Sequence, residues 1–413
     1  MTRTNRTMVN IILIAWLAYL ISYLGRSDYN ACLLEIINDT GISRALAGSI
    51  SSSFAICNAI GQLISTMIIT KFSPIKVINI ELLAVAIINL LFPVTDSFAI
   101  MAILWGINGF LQSTLLCGIT AIFVRTLKEP YLSSGAYLLN TIGAVGGMFN
   151  YILSWFIIRH FNWKLVFICT STLLFTLAVI WYIIIPKLTM SNYSFDSQTE
   201  KNASEKTKFR FTELFCSRTT VFAIAASMFV GLLRESVSLW IPTYMNDVFK
   251  LTRDMSVIIT AFVPCLQVCG ALLGGFIGRR SKDLFLMSSV TFAISGLCLI
   301  LIKIMENASI TITLIMFIIN AICMTAALTF MVSLYPIRYF DKKKVVFIVG
   351  LSNFFVHFGD FISAIGIGWL SQNNGWMGTF AVLAFLAFFA SALCLIGSNI
   401  SNRKGHKNAE VRI

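Results

Sequence analysis

Apolar segments long enough to cross a lipid bilayer recur along the whole of this 413-residue chain. A crossing helix needs about 20 apolar residues, and without water in the hydrocarbon layer each crossing segment must be helical to satisfy its own backbone. About twelve segments meet this length. The expected spans are residues 8–37, 45–69, 75–92, 100–124, 131–158 and 163–185, then 219–244, 255–277, 284–304, 310–334, 345–370 and 376–400.

The composition agrees with a membrane setting. Hydrophobic residues make up 57% of the chain, charged residues only 12%, and the mean hydropathy is +0.84. Soluble domains average about 45–50% apolar and about 25% charged residues, which excludes a soluble globular protein of this length. The sequence therefore predicts an all-α membrane protein.

Basic residues concentrate in alternate loops, and their placement predicts the orientation. The clusters lie at residues 3–6, 71–76, 125–128, 279–282, 338–344 and 403–412. Because loops rich in Lys and Arg stay on the cytoplasmic side, we expect a multi-pass protein of the cytoplasmic membrane with both termini cytoplasmic. The net charge of +13 then reflects topology and attraction to anionic lipid, and no nucleic-acid partner is expected.

A polar stretch at 191–208 divides the chain into two similar parts. It is rich in Ser, Asn, Lys, Thr and Glu, as flexible linkers are. Segments 147–163 and 359–376 each carry a glycine, an apolar helix, a central Trp and a closing Trp. We therefore expect twelve transmembrane helices in two pseudo-symmetric six-helix bundles, 1–187 and 218–413, joined by a cytoplasmic linker, 188–217, in a monomer.

Two arginines, Arg26 and Arg234, interrupt apolar spans about half the chain apart. A cation at the centre of a membrane helix costs roughly 2.5–3.5 kcal/mol on insertion scales, so such residues normally face a protein-lined cavity and bind something. Planar guanidinium groups suit bidentate binding of phosphate, phosphonate or carboxylate. The nearby acids Asp28 and Glu235 fall on other helix faces, and both are candidates for coupling transport to an ion.

Other polar residues line up with these arginines at helical spacing. Tyr19 and Tyr23 share the face of Arg26. In the eleventh span, Asn353, His357 and Asp360 form a polar stripe on an otherwise apolar helix. This stripe could pair with Arg234, bind a substrate amine or carry a coupling proton.

Gln112 and Asn140 lie on polar faces of the fourth and fifth spans, where ordinary interhelical packing is the alternative to substrate binding.

Three motifs resemble one transporter family. The pattern AYLISYLGR ending at Arg26, the sequence LRESVSLWIPTY at 233–244 and GFLQ at 109–112 are similar to the organophosphate:phosphate antiporter family of the major facilitator superfamily. Bacterial glycerol-phosphate and hexose-phosphate transporters are familiar members. The resemblance implies the major facilitator fold and implies that Arg26 and Arg234 clasp the anionic group of a substrate.

The sequence also departs from this family. The basic Lys of the second span is replaced within the stretch AIGQ at 59–62, the His of the fifth span by Gly143, and a Tyr of the seventh span by Gly231. We therefore expect a small anionic or zwitterionic substrate of the organophosphate, phosphonate or carboxylate class. Proton, sodium or phosphate could be the coupling ion.

Function classes other than secondary transport find less support in the sequence. It contains no Gly-x-x-x-x-Gly-Lys or His-Glu-x-x-His motif and no Cys-x-x-Cys pair, so no enzyme, cofactor or metal site is predicted. The favoured function is secondary active transport by alternating access. The alternative is a transporter-like sensor of a phosphorylated metabolite that binds without cycling.

Overall fold

The computed structural model describes residues 3–128, 131–139, 141–190, 218–304, 309–339 and 342–410, and these are almost entirely helical. The first half contains α1 (Arg3–Thr40), α2 (Arg44–Lys71), α3 (Pro74–Leu91), α4 (Phe98–Gln112), α5 (Leu115–Thr126), α6 (Tyr131–Leu139), α7 (Ile142–His160) and α8 (Trp163–Met190). The second half contains α9 (Arg218–Phe249), α10 (Arg253–Thr260), α11 (Phe262–Arg280), α12 (Leu284–Ile304), α13 (Ile310–Leu328), α14 (Tyr335–Tyr339), α15 (Lys342–Asn373) and α16 (Gly375–Glu410).

Ten helical segments in the described part of the chain are long and apolar enough to cross a membrane. Two expected spans are not among them, the one that forms α2 and the one that forms α6 and α7. α2 is nevertheless 28 residues long, and it carries Ser51, Asn58 and Gln62, which lower its hydropathy. The predicted all-α membrane fold is confirmed. The expected linker, 188–217, begins inside α8, and from residue 191 it lies outside the described residues.

Two matching spans, one in each half, are irregular. α4 ends and α5 begins around Ser113 and Thr114, whose hydroxyl groups donate to the carbonyls of Phe110 and Leu111. In the second half a π-helical turn, Thr329–Leu334, separates α13 from α14. Hydroxyl groups that bond to the preceding turn compete with the helix ladder, which explains the break after α4.

A repeated Trp–Asp contact shows the pseudo-symmetry at atomic level. Trp163 at the start of α8 donates its indole N–H to Asp39 at the end of α1, at 2.9 Å. Trp376 at the start of α16 donates to Asp247 near the end of α9, at 2.8 Å. The tryptophans that close the two repeated sequence segments thus join corresponding helices in each half.

Helix α15 packs closely against a helix of each half, and glycines permit the approach. A Cβ atom on Gly231 of α9 would collide with the carbonyl of Val356, and one on Gly359 would collide with the carbonyl of Met228. On the other side, a Cβ on Gly48 of α2 would collide with the carbonyl of Ala364. Small residues at such crossings let helix backbones approach within a membrane. α15 therefore connects the two halves.

Polar contacts hold the halves together at one end of the bundle, which we call the distal end because it lies opposite the start of α1. Arg44 of α2 forms an ion pair with Asp247 of α9, and Arg253 of α10 forms one with Glu35 of α1 at 3.0 Å. Further hydrogen bonds between the halves lie between mid-depth and this end, among them Asn30–Glu235 and Tyr151–Ser238. The distal end of the interface is closed.

Candidate functional site

A cavity of about 340 Å³ lies between the two halves at mid-depth. α1 contributes Tyr19, Tyr23, Arg26 and Asn30 to its wall. The second half contributes Arg234 and Glu235 from α9 and His357 and Asp360 from α15. Ligand sites for small molecules commonly have volumes of about 300–1,000 Å³, so this cavity suits a small substrate. The structure brings both arginines to one site.

Arg26 presents its guanidinium group to this cavity without a carboxylate partner. Its Cζ atom lies 5.9 Å from the ring centre of Tyr23 and 5.2 Å from that of Phe54. No carboxylate of the described residues lies within ion-pair distance of Arg26. Aromatic faces attract a cation and orient the group, but they leave its in-plane N–H donors unused. Arg26 can therefore receive an anion.

Arg234 has an acidic partner in its own half. Its Nη2 atom lies 3.2 Å from Oδ2 and 3.4 Å from Oδ1 of Asp360. The Asp360 side chain is 5% exposed and that of Arg234 is 23% exposed toward the cavity. Pairing with Arg234 is one of the three roles considered for Asp360 from the sequence. The pair neutralises both groups while leaving part of the guanidinium accessible.

A chain of hydrogen bonds continues from Asp360 into the other half. Nδ1 of His357 lies 2.9 Å from Oδ2 of Asp360, and Nε2 of His357 lies 3.0 Å from Nε2 of Gln62 in α2. The Gln62 amide also donates to Oδ1 of Asn58 at 3.1 Å, and Asn58 donates to the carbonyl of Gly109 at 2.9 Å. The network joins α15, α2 and α4.

Glu235 supplies the second carboxylate of the cavity. Its Oε1 atom accepts a hydrogen bond from the amide of Asn30 in α1 at 3.3 Å. Among the described residues no ion pair reaches Glu235. The cavity thus carries two guanidinium groups and two carboxylates. Arg234 and Asp360 pair with each other, whereas Arg26 and Glu235 have no ion-pair partner among the described residues.

Several residues expected at the site lie elsewhere. Asp28 is fully buried and is not part of the cavity wall; Thr170 and Asn150 are its polar neighbours. Gln112 donates to Asn108 at 2.7 Å, and Asn108 donates to the carbonyl of Gly25, so these amides join α4 to α1. The half-buried Asn353 is also outside the cavity wall, and Asn140 is outside the described residues.

The cavity wall also contains residues that the sequence analysis did not select. Gln62 was noted only as part of a lost basic position, and Tyr151 and Gln267 were not selected. Tyr151 of α7 donates its hydroxyl to the carbonyl of Ser238 in α9 at 3.3 Å, across the halves. The sequence signal that could have identified these residues is that each is a polar residue on an otherwise apolar helix. In the described part of the chain no group of three His, Cys, Asp or Glu side chains is arranged to hold a metal ion.

Comparison with known proteins gives the family. The profile of the Major Facilitator Superfamily matches residues 15–338. A probable hexose phosphate transport protein of Chlamydia trachomatis is 20% identical over 95% of this chain and 91% of that protein. The membrane sensor protein UhpC of Escherichia coli is 29% identical over 159 residues, which cover 38% of this chain and only 35% of the sensor.

A solved structure has the same fold. A bacterial homologue of the human lysosomal transporter Spinster superposes with a TM-score of 0.80 at 14% identity, over 97% of this chain and 98% of that one. At this low sequence identity, the structural similarity is evidence for the fold alone. The profile match, however, extends over well more than half of the chain and agrees with the resemblance read from the sequence motifs. The chain therefore belongs to the Major Facilitator Superfamily and is a multi-pass integral membrane protein.

Proposed function

We propose that this protein is a secondary active transporter for a small anionic or zwitterionic metabolite, and that Arg26 and Arg234 bind the anionic group of that substrate. The organophosphate, phosphonate and carboxylate classes fit these donors. The single observation that carries the proposal is the Arg26 guanidinium, which lines the cavity and has no carboxylate partner among the described residues. A buried cation without a counter-charge is costly, and a bound anion relieves that cost.

The remaining charges of the site favour a zwitterion or a small anion over a bulky sugar phosphate. Glu235 has an amide partner but no cationic one among the described residues, so it can accept a substrate amine. The Arg234–Asp360 pair leaves one guanidinium partly accessible to the same substrate. A cavity of about 340 Å³ suits a compact substrate that spans from Arg26 to α9.

Alternating access supplies the mechanism. The two bundles, 1–187 and 218–413, would rock about the mid-depth site so that it faces each side of the membrane in turn. The ion pairs Arg44–Asp247 and Arg253–Glu35 close the distal end in the conformation described above. With both termini in the cytoplasm, as the basic loops favour, the distal end is the outer one. Substrate then reaches the site from the cytoplasmic side in this state.

A sensor is the second candidate, and one observation favours it: the match to the Escherichia coli membrane sensor protein at 29% identity. That match covers about a third of each chain, whereas the transport proteins match along nearly the whole length. A sensor would bind its ligand without moving it across the membrane.

Counterflow in proteoliposomes separates the two functions. Purified protein is reconstituted with unlabelled 2-aminoethylphosphonate inside, and labelled compound is added outside. A carrier exchanges the label into the lumen, and the Arg26→Gln variant abolishes that exchange. Saturable binding in detergent with no counterflow would identify a sensor instead. Absence of binding to small phosphonates, carboxylates and zwitterions alike would refute the proposed substrate class.

A further inference from the structure

The hydrogen-bond network between α2 and α15 leaves little choice about where its protons lie. The carbonyl of Gly109 can only accept, so the Asn58 amide nitrogen must face it and the Asn58 oxygen must face Gln62. That oxygen also can only accept, so the amide nitrogen of Gln62 must face Asn58. The same nitrogen lies 3.0 Å from Nε2 of His357.

The amide of Gln62 therefore donates both of its hydrogens, one to Asn58 and one to Nε2 of His357. Nε2 of His357 must then carry a lone pair, and the single ring proton must be on Nδ1. Nδ1 lies 2.9 Å from Asp360, which accepts that proton. A backbone carbonyl in the first half thus determines the tautomer of a histidine in the second half.

We propose that Nε2 of His357 is a proton-binding site, that Gln62 and Asn58 are the positioning residues that keep it unprotonated in the closed state, and that its protonation weakens the contact between the halves. The transport role of this site rests on the proposed function. A second ring proton at Nε2 would point at the N–H donor of Gln62. Rotating the Gln62 amide to accept that proton would turn its oxygen toward the Asn58 oxygen. Either arrangement loses a buried hydrogen bond.

Charged groups near His357 come from three helices. Asp360 belongs to its own helix α15, Arg26 to α1 and Arg234 to α9, and Glu235 of α9 lines the same cavity. Helix α2, which provides the contact, has no acidic, basic or imidazole side chain between Arg44 and Lys71. The cost of protonation on the α2 side therefore arises from hydrogen-bond direction and not from charge.

The location of the contact connects the proton to conformation. Ser52 of α2 donates to the carbonyl of Phe361 at 2.7 Å, and Gly48 meets α15 one turn further on. The Gln62–His357 contact lies farther from the distal end than the Ser52–Phe361 contact does. A proton bound there loosens the packing of α2 on α15. Because α2 also carries Arg44 of the distal ion pair with Asp247, this favours opening at the distal end.

Nitrogen-15 NMR of labelled histidine tests the tautomer directly. The chain has three histidines, so a parent variant, His160→Gln with His406→Gln, leaves His357 as the only signal. At neutral pH we expect Nδ1 protonated and Nε2 bare. Gln62→Met should give a mixture of tautomers, and Gln62→Glu, which can only accept, should protonate both nitrogens. Asn58→Leu is the second route to a mixture should Gln62→Met fail to fold.

A proton on Nε2 in the parent variant, or a Gln62→Met spectrum identical to that of the parent, would overturn the proposal. Hydrogen exchange, corrected for the intrinsic effect of pH, tests the opening step. Acid should increase exchange at the distal ends of α2 and α15 in the parent but not in His357→Gln, and an equal increase in both would overturn that step. Neither readout needs a substrate, so a failure to bind anions would refute the proposed function while leaving these results to stand.

Discussion

Arg234 and Asp360 lie 3.2 Å apart as an ion pair between α9 and α15, whereas Arg26, which occupies the matching place in the first half, has no carboxylate partner in the described chain. The two arginines are equivalent in the sequence repeat but not in the structure. Under the proposed function, anion capture would depend mainly on Arg26, and Arg234 would share its charge between the substrate and Asp360.

This asymmetry predicts different effects for the two arginines. Arg26→Lys and Arg234→Lys should both lose uptake, because the ammonium group of lysine cannot form the two parallel hydrogen bonds of a planar guanidinium group. Arg234→Gln should in addition lower the melting temperature, since an unpaired buried carboxylate costs on the order of 3 kcal/mol. Arg26→Gln removes a cation that has no carboxylate partner among the described residues, so this variant should melt at or above the temperature of the parent. Uptake and thermal unfolding measured on the same preparations check this, and equal melting losses would contradict it.

Asp360 is expected to couple transport to a gradient. Asp360→Asn keeps an acceptor for Arg234 and His357 but removes the charge, so driven accumulation should be abolished while counterflow continues. Accumulation assayed over a range of pH, beside counterflow, measures both. Normal accumulation with an unchanged pH profile would refute the coupling role.

A structural role for Asp360 predicts a different pattern. In that case Asp360→Asn should lose stability and both activities together, and the double variant Arg234→Gln with Asp360→Asn should regain part of the lost stability. Melting temperatures of the two single variants and the double variant distinguish these results.

Close packing of α15 on α9 predicts a sharp positional effect of one methyl group. Gly231→Ala would put a Cβ against the carbonyl of Val356, and overpacking of this kind costs about 1–3 kcal/mol. Gly350→Ala, on α15 with nothing within 4 Å of its Cβ, is the matched control. It should be neutral or stabilising by up to about 1 kcal/mol because alanine favours helix. Thermal unfolding of both variants decides, and equal melting temperatures would show that α9 and α15 are not in contact at Gly231.

The distal ion pairs are expected to hold one conformation. Arg44→Gln removes the pair to Asp247, so hydrogen exchange at the distal ends of α2 and α9 should become faster. Lys164→Gln is the control, because Lys164 pairs with the exposed Asp96 of its own half at 3.9 Å. It should leave exchange at those helix ends unchanged. A similar increase in both variants would mean that the Arg44 pair does not join the halves.

Much of the fold and the two arginines could be predicted because membrane insertion imposes strong energetic limits. A backbone in hydrocarbon must be helical, so the lengths of the apolar segments predict the membrane helices. A cation in the middle of a span must face a protein-lined site, so the positions of Arg26 and Arg234 predict the binding site. His357 and Asp360 were found by the same argument, as polar residues on an apolar helix.

The remaining site residues could not be predicted because periodicity gives a face of a helix but not the helix it meets. Gln112 and Asn108 look like a binding face, yet they satisfy each other and the carbonyl of Gly25. Gln62 looked like the loss of a basic group, but it forms a contact to the other half. Such partners depend on how the two bundles pack against each other, and the amino-acid sequence of a single chain does not give that packing.

Equilibrium binding to the purified protein tests the central claim, that Arg26 captures the anionic group of a small substrate. Calorimetry would compare ethylphosphonate, 2-aminoethylphosphonate and glucose 6-phosphate on the parent and on Arg26→Lys. The account predicts tighter binding of the two small phosphonates than of the sugar phosphate, and a loss of about tenfold or more in Arg26→Lys, equivalent to about 1.4 kcal/mol. Unchanged affinity in Arg26→Lys, or tightest binding of glucose 6-phosphate, would contradict it.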